Sequence, residues 1–281
     1  MRSAIFITAR TKSTRLPKKV LIDINGKPVI EHLIDRLKLA KFPDLIVMCT
    51  STNPDDDVLV DITRKNGIKY FRGSEDDVLD RFSKAASAFQ VDFITVTWGD
   101  ELFCDPIYID KTIELFQKTD ADFIRCDELP LGTFVYGLKV EALNKVCQMK
   151  MDTDTEVWGG FFTEKGMFNV QYLKVEDAGL RHPEIRITLD YEEDLKLVKE
   201  IFRQLYTNEQ PIPLSSIIRL FEEHPELREI NRKCQELYEA NIKRLARTLG
   251  KQKKSGKAQS QLKGKPIILG EANQKDGVFI P

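Results

Sequence analysis

Short apolar runs alternate with amphipathic stretches through the first hundred residues, and this alternation leaves few folds open. Ala4–Ile7 reads as a first strand. Pro28 to Ala40 then carries Val29, Ile30, Leu33, Ile34 and Leu37 at helical spacing, with Pro28 suited to a first helical turn. Leu45–Thr50 is a second strand, and Asn53-Pro54-Asp55-Asp56 starts a second helix. Ile68–Phe71 is a third strand. Ser74 is expected to cap a helix running to about Phe89, with Glu75, Asp76 and Asp77 in its first turn, where the helix dipole favours acids. Val91–Thr97 is a fourth strand and ends at Trp98-Gly99-Asp100. Strands separated in this way by helices form a mainly parallel sheet with helices on both faces, an α/β fold.

The pattern changes after about residue 121. Asp122–Cys126, Thr133–Lys139, Phe168–Val175 and Ile185–Leu189 read as strands of a mixed or antiparallel extension. Tyr191–Tyr206 reads as a long helix packing back on the main sheet. Beyond residue 207 the character shifts again: Leu214–Phe221 and Pro225–Leu249 read as two helices, making residues 208–249 a C-terminal helical extension. From Lys243 to Lys265 there are nine Lys or Arg residues and no acids, so residues 250–281 are expected to form a flexible basic tail.

The formal net charge of −1 excludes a globally basic nucleic-acid binder, so any anion site must be local. The five cysteines are odd in number and never in CxxC spacing, which points to buried thiols in a reducing compartment. Three histidines without an HExxH pattern make histidine-based metal chemistry unlikely. No apolar run is long enough to cross a membrane, and the N-terminal run is too short for a signal peptide. The cytoplasm is the expected location.

Chemistry concentrates at two strand ends. After the first strand comes Ala9-Arg10-Thr11-Lys12-Ser13-Thr14-Arg15-Leu16-Pro17-Lys18-Lys19, a basic loop rich in hydroxyls. Ligands of open α/β sheets bind outside the carboxyl ends of the strands, so this loop is either a polyanion site or a solvated basic surface. After the fourth strand, Asp100 follows Gly99, with Glu101 and Asp105 close by. Asp100 is a candidate Mg²⁺ ligand beside phosphates or a turn aspartate, and Asp105 is the better cap for a helix starting near Pro106. Gly99 would let backbone approach closely. Asp190 stands where a strand gives way to a helix. It could bind metal, and with Glu193 it has the form of a capping box.

Several of these strings together resemble the cytidylyltransferase family, which includes CMP-KDO synthetases, acylneuraminate cytidylyltransferases and SpsF-like spore-coat polysaccharide proteins. They are Ala9-Arg10, Ser13-Thr14-Arg15-Leu16-Pro17, Lys19-Val20-Leu21 and Asn25-Gly26-Lys27-Pro28 at the N-terminus. Thr50–Asp56, Phe71–Arg81, Gly99-Asp100, Asp105-Pro106, Asp190 with Glu193-Asp194-Leu195, and His224–Leu227 with Ile230-Asn231 agree with the SpsF-like branch. The resemblance covers roughly residues 1–240. It implies a Rossmann-like nucleotidyltransferase that uses CTP and Mg²⁺ to convert a sugar or sugar acid to a CMP-sugar for surface polysaccharide or glycan assembly, commonly as a homodimer. Carried over by position, Arg10, Ser13, Arg15 and Lys19 resemble the triphosphate loop, Arg72 the nucleoside-facing segment, and Asp100 and Asp190 the two metal ligands. Lys19, Arg15 and Asp100 are the expected catalytic groups.

Departures leave Arg10, Ser13, Arg15, Lys19 and Asp100 in place. Lys18 stands where a glycine is common, Trp98 replaces a small or amide residue, and Thr155–Phe162 looks unlike the segment that contacts the sugar in relatives. Trp98, Glu156, Trp158 and Arg186 are therefore the candidate acceptor contacts. Against this, Trp98, Trp158, Phe161 and Phe162 are of types more often found in a core, and Arg186 could pair with Glu192 or Glu193 rather than clamp a substrate carboxylate. A metal-dependent nucleotide-sugar glycosyltransferase and a catalytically silent nucleotide-binding relative are the competing readings.

Overall fold

The computed structural model describes residues 1–163, 166–207, 209–238 and 240. Strand β1 (Ser3–Thr8) is buried along its whole length. A short antiparallel ribbon, β2 (Asp23–Ile24) with β3 (Lys27–Pro28), leads into α1 (Val29–Leu37). Then β4 (Leu45–Ser51), α2 (Asp57–Lys65), β5 (Lys69–Gly73), α3 (Val78–Phe89) and β6 (Phe93–Trp98) follow in the expected alternation. The chain continues through α4 (Pro106–Thr119), β7 (Phe123–Arg125), β8 (Tyr136–Lys139), α5 (Val140–Met149), the one-turn α6 (Gly160–Thr163), β9 (Val170–Tyr172), α7 (Glu192–Leu205) and α8 (Leu214–Glu223).

Seven strands form one sheet in the order β5-β4-β1-β6-β8-β7-β9. β1 pairs in parallel with β4 and β6, and β4 with β5. β8 is antiparallel to both β6 and β7, while β7 and β9 are parallel, so β8 alone runs against the other six. This is the mixed extension of a Rossmann-like sheet. Alternation along β1 sends Ala4 and Phe6 into one core with α3 and α5, and Ile5 and Ile7 into another with α1, α2 and α4. From β1 the chain winds outward through β4 to β5, then returns to the far side of β1 as β6. Strand order reverses at β1, which places the ligand crevice outside the carboxyl ends of β1 and β6.

Helix starts follow capping chemistry. Asn53 accepts from Asp55 N at 3.1 Å ahead of the 3-10 turn that opens α2, and Asp105 caps α4 by accepting from Ile107 N at 2.8 Å. α3 starts later than expected, with Asp77 rather than Ser74 as its cap. The reason is that residues 74–76 are used elsewhere. Arg81 takes the carbonyl of Ser74, Arg10 that of Glu75 and Thr155 N that of Asp76, so the segment is a strap rather than a helical turn.

Three other expectations change. Ile185–Leu189 is not a sheet strand; it makes one bridge, Arg186 with Leu131, and a single bond from Leu189 N to Asp100 O at 3.2 Å. Helix α5 lies where no element is expected from the sequence. The expected Pro225–Leu249 helix is interrupted: Pro225–Glu229 is a 3-10 turn and helical backbone resumes at residue 232. The basic tail expected over 250–281 lies outside the described residues. Ile212, Leu214, Ile217, Ile218, Phe221 and Leu227 share one core with Leu16, Ile24, Leu102, Ile187 and Leu197. Packing is therefore continuous across residue 207, where a boundary is expected. The five cysteines are free, and all but Cys147 are buried. No helix among the described residues is long and apolar enough to cross a membrane.

Candidate active site

The basic loop after β1 is a folded structure pinned at three points. At its start, buried Asp56 accepts from Thr11 N at 2.7 Å and Thr11 Oγ1 at 2.8 Å, and also from Ser51 Oγ and Thr50 Oγ1 on β4. In its middle, Leu16 is buried in the core. At its end, Val20 is buried within a 3-10 turn, Lys19–Leu21, entered through Lys18 in the left-handed conformation (φ 52°, ψ 30°). Half-buried Ser13 and exposed Thr14 and Arg15 form the crest. Glycine suits such a left-handed position best, and here a lysine holds it.

Lys19 reaches the crevice and meets two carboxylates. Its Nζ donates to Asp100 Oδ2 and, at 2.9 Å, to Asp190 Oδ1. Arg15 Nη2 donates to the same Asp190 oxygen at 2.5 Å, and its guanidinium lies 5.3 Å from the centre of the Tyr191 ring. Burial opposes charge on Lys19, but Asp100 and Asp190 overcome it and raise its pKa. Burial likewise opposes ionisation of Asp190, and Lys19 and Arg15 overcome it, holding its carboxyl below the usual range. Both cations and Asp190 are therefore charged at neutral pH. Next to Asp100, buried Glu101 accepts from Thr97 Oγ1 at 3.0 Å and Trp98 N at 3.1 Å. Burial first and Asp100 second push its pKa up to about 8, so at pH 7 it adds little negative charge to the site.

Asp190 does not cap α7. Tyr191 is the cap residue, and Asp194 supplies the carboxylate, its Oδ2 accepting from Asp190 N at 2.9 Å and Tyr191 N at 3.1 Å. The Asp190 side chain is thus free of capping and faces the cations. Arg186 pairs with neither Glu192 nor Glu193. Its Nε and Nη2 donate to the two oxygens of Asp194, each at 2.9 Å, and Nη2 also donates to Asp190 Oδ2 at 3.0 Å. With 5% of its surface exposed, Arg186 is no clamp for a substrate carboxylate, which corrects the expected acceptor contact.

The remaining candidates stand around this centre. Arg10 braces the strap through Glu75 O at 2.8 Å and lies 3.6 Å from Asp76 and 3.7 Å from Glu156. Glu156 is thereby brought beside the basic loop. Arg72 is outside the carboxylate centre, donating to Ser51 O, Asn53 O and Asp57 Oδ1 at the exit of β4. Gly99 has a packing reason: an added Cβ would lie 2.7 Å from Ala9 Cβ and 3.1 Å from a Val20 methyl, so glycine lets the two loops touch. Trp98 is half-buried and stacks at 6.0 Å on Trp158, which is 2% exposed. Trp158 is therefore a core support beneath Trp98 rather than a surface for substrate, and Phe162 is core as well.

Sequence reasoning missed Asp56, Asp194 and Asn231 as site supports. Asp56 and Asp194 lie in strings that resemble the family but read locally as helix-start acids, and only the fold shows what else they hold.

The pair Asp100 and Asp190 converges on one ammonium, so the same two carboxylates can receive another compact cation. Among the described residues no group of three or more His, Cys, Asp or Glu side chains forms a metal cluster. Two carboxylates that already meet cations suit Mg²⁺, which is commonly bound by one or two carboxylates plus substrate phosphates. The fit is chemical, and the residues that would hold the ion are these two.

A sheet of this order with basic residues and paired carboxylates at its switch point defines a Rossmann-like nucleotidyltransferase. Residues 4–243 match the family model described as cytidylyltransferase, and the chain belongs to that family. It is 30% identical over 237 residues to the spore coat polysaccharide biosynthesis protein SpsF of Bacillus subtilis, covering 80% of this chain and 97% of that one. It is 29% identical to a 3-deoxy-manno-octulosonate cytidylyltransferase of Chloroherpeton thalassium over 63% of this chain and 69% of the other. Among solved structures, a cytidylyltransferase from Leptospira borgpetersenii matches with TM-score 0.72 at 25% identity, over 81% of this chain and 96% of that one. A CMP:2-keto-3-deoxy-manno-octonic acid synthetase complexed with CTP shares the fold, with TM-score 0.58 at 16% identity over 73% and 99% of the two chains.

Proposed function

We propose that the protein transfers CMP from CTP to a hydroxyl of a sugar or sugar acid, with release of pyrophosphate, for assembly of a surface polysaccharide or glycan. The observation that carries this reading is the convergence of Lys19 and Arg15 on Asp100 and Asp190 at the switch point of a cytidylyltransferase-family sheet. Relatives support it: one is a spore coat polysaccharide biosynthesis protein and another is a 3-deoxy-manno-octulosonate cytidylyltransferase. A cytoplasmic homodimer is part of the same reading.

In this reaction the acceptor oxygen bonds to the α-phosphorus, the bond to the bridging oxygen of the β-phosphate breaks, and pyrophosphate leaves with that electron pair. The acceptor hydroxyl proton goes to solvent. Positioning and charge neutralisation are the main demands of phosphoryl-type transfer. Lys19 and Arg15 serve both, binding the incoming triphosphate and neutralising charge on the departing pyrophosphate. Ser13 and Thr14 offer hydroxyls from the crest of the same loop, whose shape Asp56 and Leu16 hold before ligand arrives. Mg²⁺ held by Asp100 and Asp190, when bound with the nucleotide, would polarise the α-phosphate. With Arg186 consumed by aspartates, recognition of an acidic acceptor has to use other groups.

The test is pyrophosphate release from each NTP with Mg²⁺ and a panel of acidic and neutral sugars. Release with CTP that requires an acceptor is expected, and Lys19→Ala should lower turnover about 10²–10³-fold, the usual loss for one electrostatic stabiliser. Release with other nucleotides but not CTP would overturn the cytidine assignment. No release with any pair, despite CTP binding, would favour a silent relative.

A further inference from the structure

Behind Asp190 a chain of buried polar groups leads away from the crevice into the C-terminal segment. Arg186 holds Asp190 Oδ2 at 3.0 Å, which leaves Oδ1 facing Arg15 and Lys19. Arg186 is in turn gripped by both oxygens of Asp194, a side chain 1% exposed. Asn231, 3% exposed, closes the chain: its Nδ2 donates to Asp194 Oδ1 at 2.8 Å and to Arg186 O at 3.1 Å. Tyr238, seven residues further on, lays its ring 5.2 Å from the Arg186 guanidinium. Arg186, Asp194 and Asn231 meet the crevice carboxylates through Asp190.

A carboxylate held only by Arg15 and Lys19 could turn about its last bond and offer either oxygen. The guanidinium on Oδ2 removes that freedom, as hydrogen bonds from behind do for metal-ligating carboxylates generally. Asn231 removes the corresponding freedom of Asp194, and so of Arg186. Resting on the metal-triphosphate reading of the crevice, we propose that Arg186, Asp194 and Asn231 are positioning residues that aim Asp190 Oδ1 into the crevice. Asn231 is thereby a working part of the active site, setting metal affinity through Arg186 and Asp190.

The experiment uses the full chain and two variants, Asn231→Ala and Arg186→Lys. Mn²⁺ binding is followed by water-proton relaxation at saturating CTP, and CTP binding is measured separately in EDTA. Loss of an outer-shell partner should weaken Mn²⁺ binding about 10–100-fold and change metal-free CTP affinity by less than about twofold. Unchanged Mn²⁺ affinity in folded Asn231→Ala protein, or an equal fall in both affinities, overturns the proposal and reduces the chain to a brace for α7. If Arg186→Lys does not fold, Asn231→Ala decides alone. A wild-type protein that shows no CTP-dependent Mn²⁺ binding refutes the metal reading itself, an outcome distinct from failure of the variants.

Discussion

The two carboxylates of the site are placed by opposite means. Asp100 sits two residues past β6, and its surroundings are fixed by sheet backbone: Thr8 is in register with Trp98, and Gly99 N donates to Thr8 O at 2.9 Å. Asp190 comes from a segment with only one bridge and a few backbone bonds to the rest of the fold. Its position is set by ions, three cations meeting its carboxylate from Arg15, Lys19 and Arg186. The first half of the site is made by topology and the second by charge. Loss of a side chain should therefore do different things in the two halves.

The strongest break of this comparison is the pair Asp100→Asn and Asp190→Asn. Each should lower turnover about 10³-fold, since each removes a charge at the reacting centre. Their stabilities should part. Asp190→Asn leaves buried Arg186 and Lys19 short of an anion, at a cost of about 3 kcal/mol. Asp100→Asn removes one partner at a backbone-defined turn and should cost about 1 kcal/mol. Urea unfolding of the two proteins measures the difference, and equal losses would erase the distinction.

Gly132→Ala attacks the charge-held half through its backbone. A Cβ there would lie 2.6 Å from Thr188 N and 2.8 Å from Thr188 Cα, at φ +101°. Backbone cannot swing aside as a side-chain tip can, so the stretch carrying Asp190 must move. A loss of about 2–4 kcal/mol is expected from strain and overpacking together, with turnover falling as well. Wild-type activity in this variant would mean that Asp190 tolerates displacement.

How far each half can be read from sequence follows the same division. The strands and helices from Ala4 to Trp98 announce themselves through apolar spacing, and the crevice follows because ligands of such sheets bind at strand ends. The basic loop and Asp100 stand out for that reason, while Arg15 and Lys19 are singled out within the loop by the family resemblance. Asp190 was legible as a motif residue, but its role was not. The same Asp-Tyr-Glu-Glu-Asp string allows a capping box of Asp190 with Glu193 or of Tyr191 with Asp194, and the structure forms the second, which leaves the Asp190 side chain to Lys19. Arg186 shows the limit most clearly. Glu192 and Glu193 stand nearer to it in sequence than Asp194, yet Asp194 is the α7 acid that the helix's first turn brings round to it, beside Asp190. A strand of a mixed or antiparallel extension is expected where β8 stands, but pairing direction leaves no mark on periodicity, so which strand runs in reverse is not legible, and α5 is not expected at all. Ser74 misled because its cap-like context is spent on a strap that Arg10, Arg81 and Thr155 create from elsewhere in the chain.

A smaller effect sharpens the topology-held half. Burial pushes the Asp56 carboxyl up, but hydrogen bonds from Ser51 and Thr11 more than reverse this, so the folded group titrates below its ordinary 3.8. Such a group stabilises the fold fully above the unfolded value, and the contribution is lost as pH falls from about 4 through the folded value. Asp56→Asn should cost about 1–2 kcal/mol at pH 7, with the deficit shrinking below pH 4. Melting temperatures of both proteins across that range test it. A deficit that stays constant would show that Asp56 acts by shape and not by charge.

The smallest expected effect concerns Lys18, where the loop enters its left-handed turn at φ 52°. A side chain in that conformation costs about 1–2 kcal/mol, and glycine avoids it while adding chain entropy to the unfolded state. Lys18→Gly should therefore stabilise by about 0.5–1 kcal/mol net. Lys18 makes no contact with Asp100 or Asp190, whereas Lys19 beside it supplies the site's central ammonium. If the loop is shaped by its three anchors, removing the Lys18 charge should leave turnover near wild type and raise Tm slightly in a thermal melt. A fall in affinity for CTP as large as that of Lys19→Ala would instead make Lys18 a phosphate ligand, and the loop would then work by density of charge more than by the placement of one lysine.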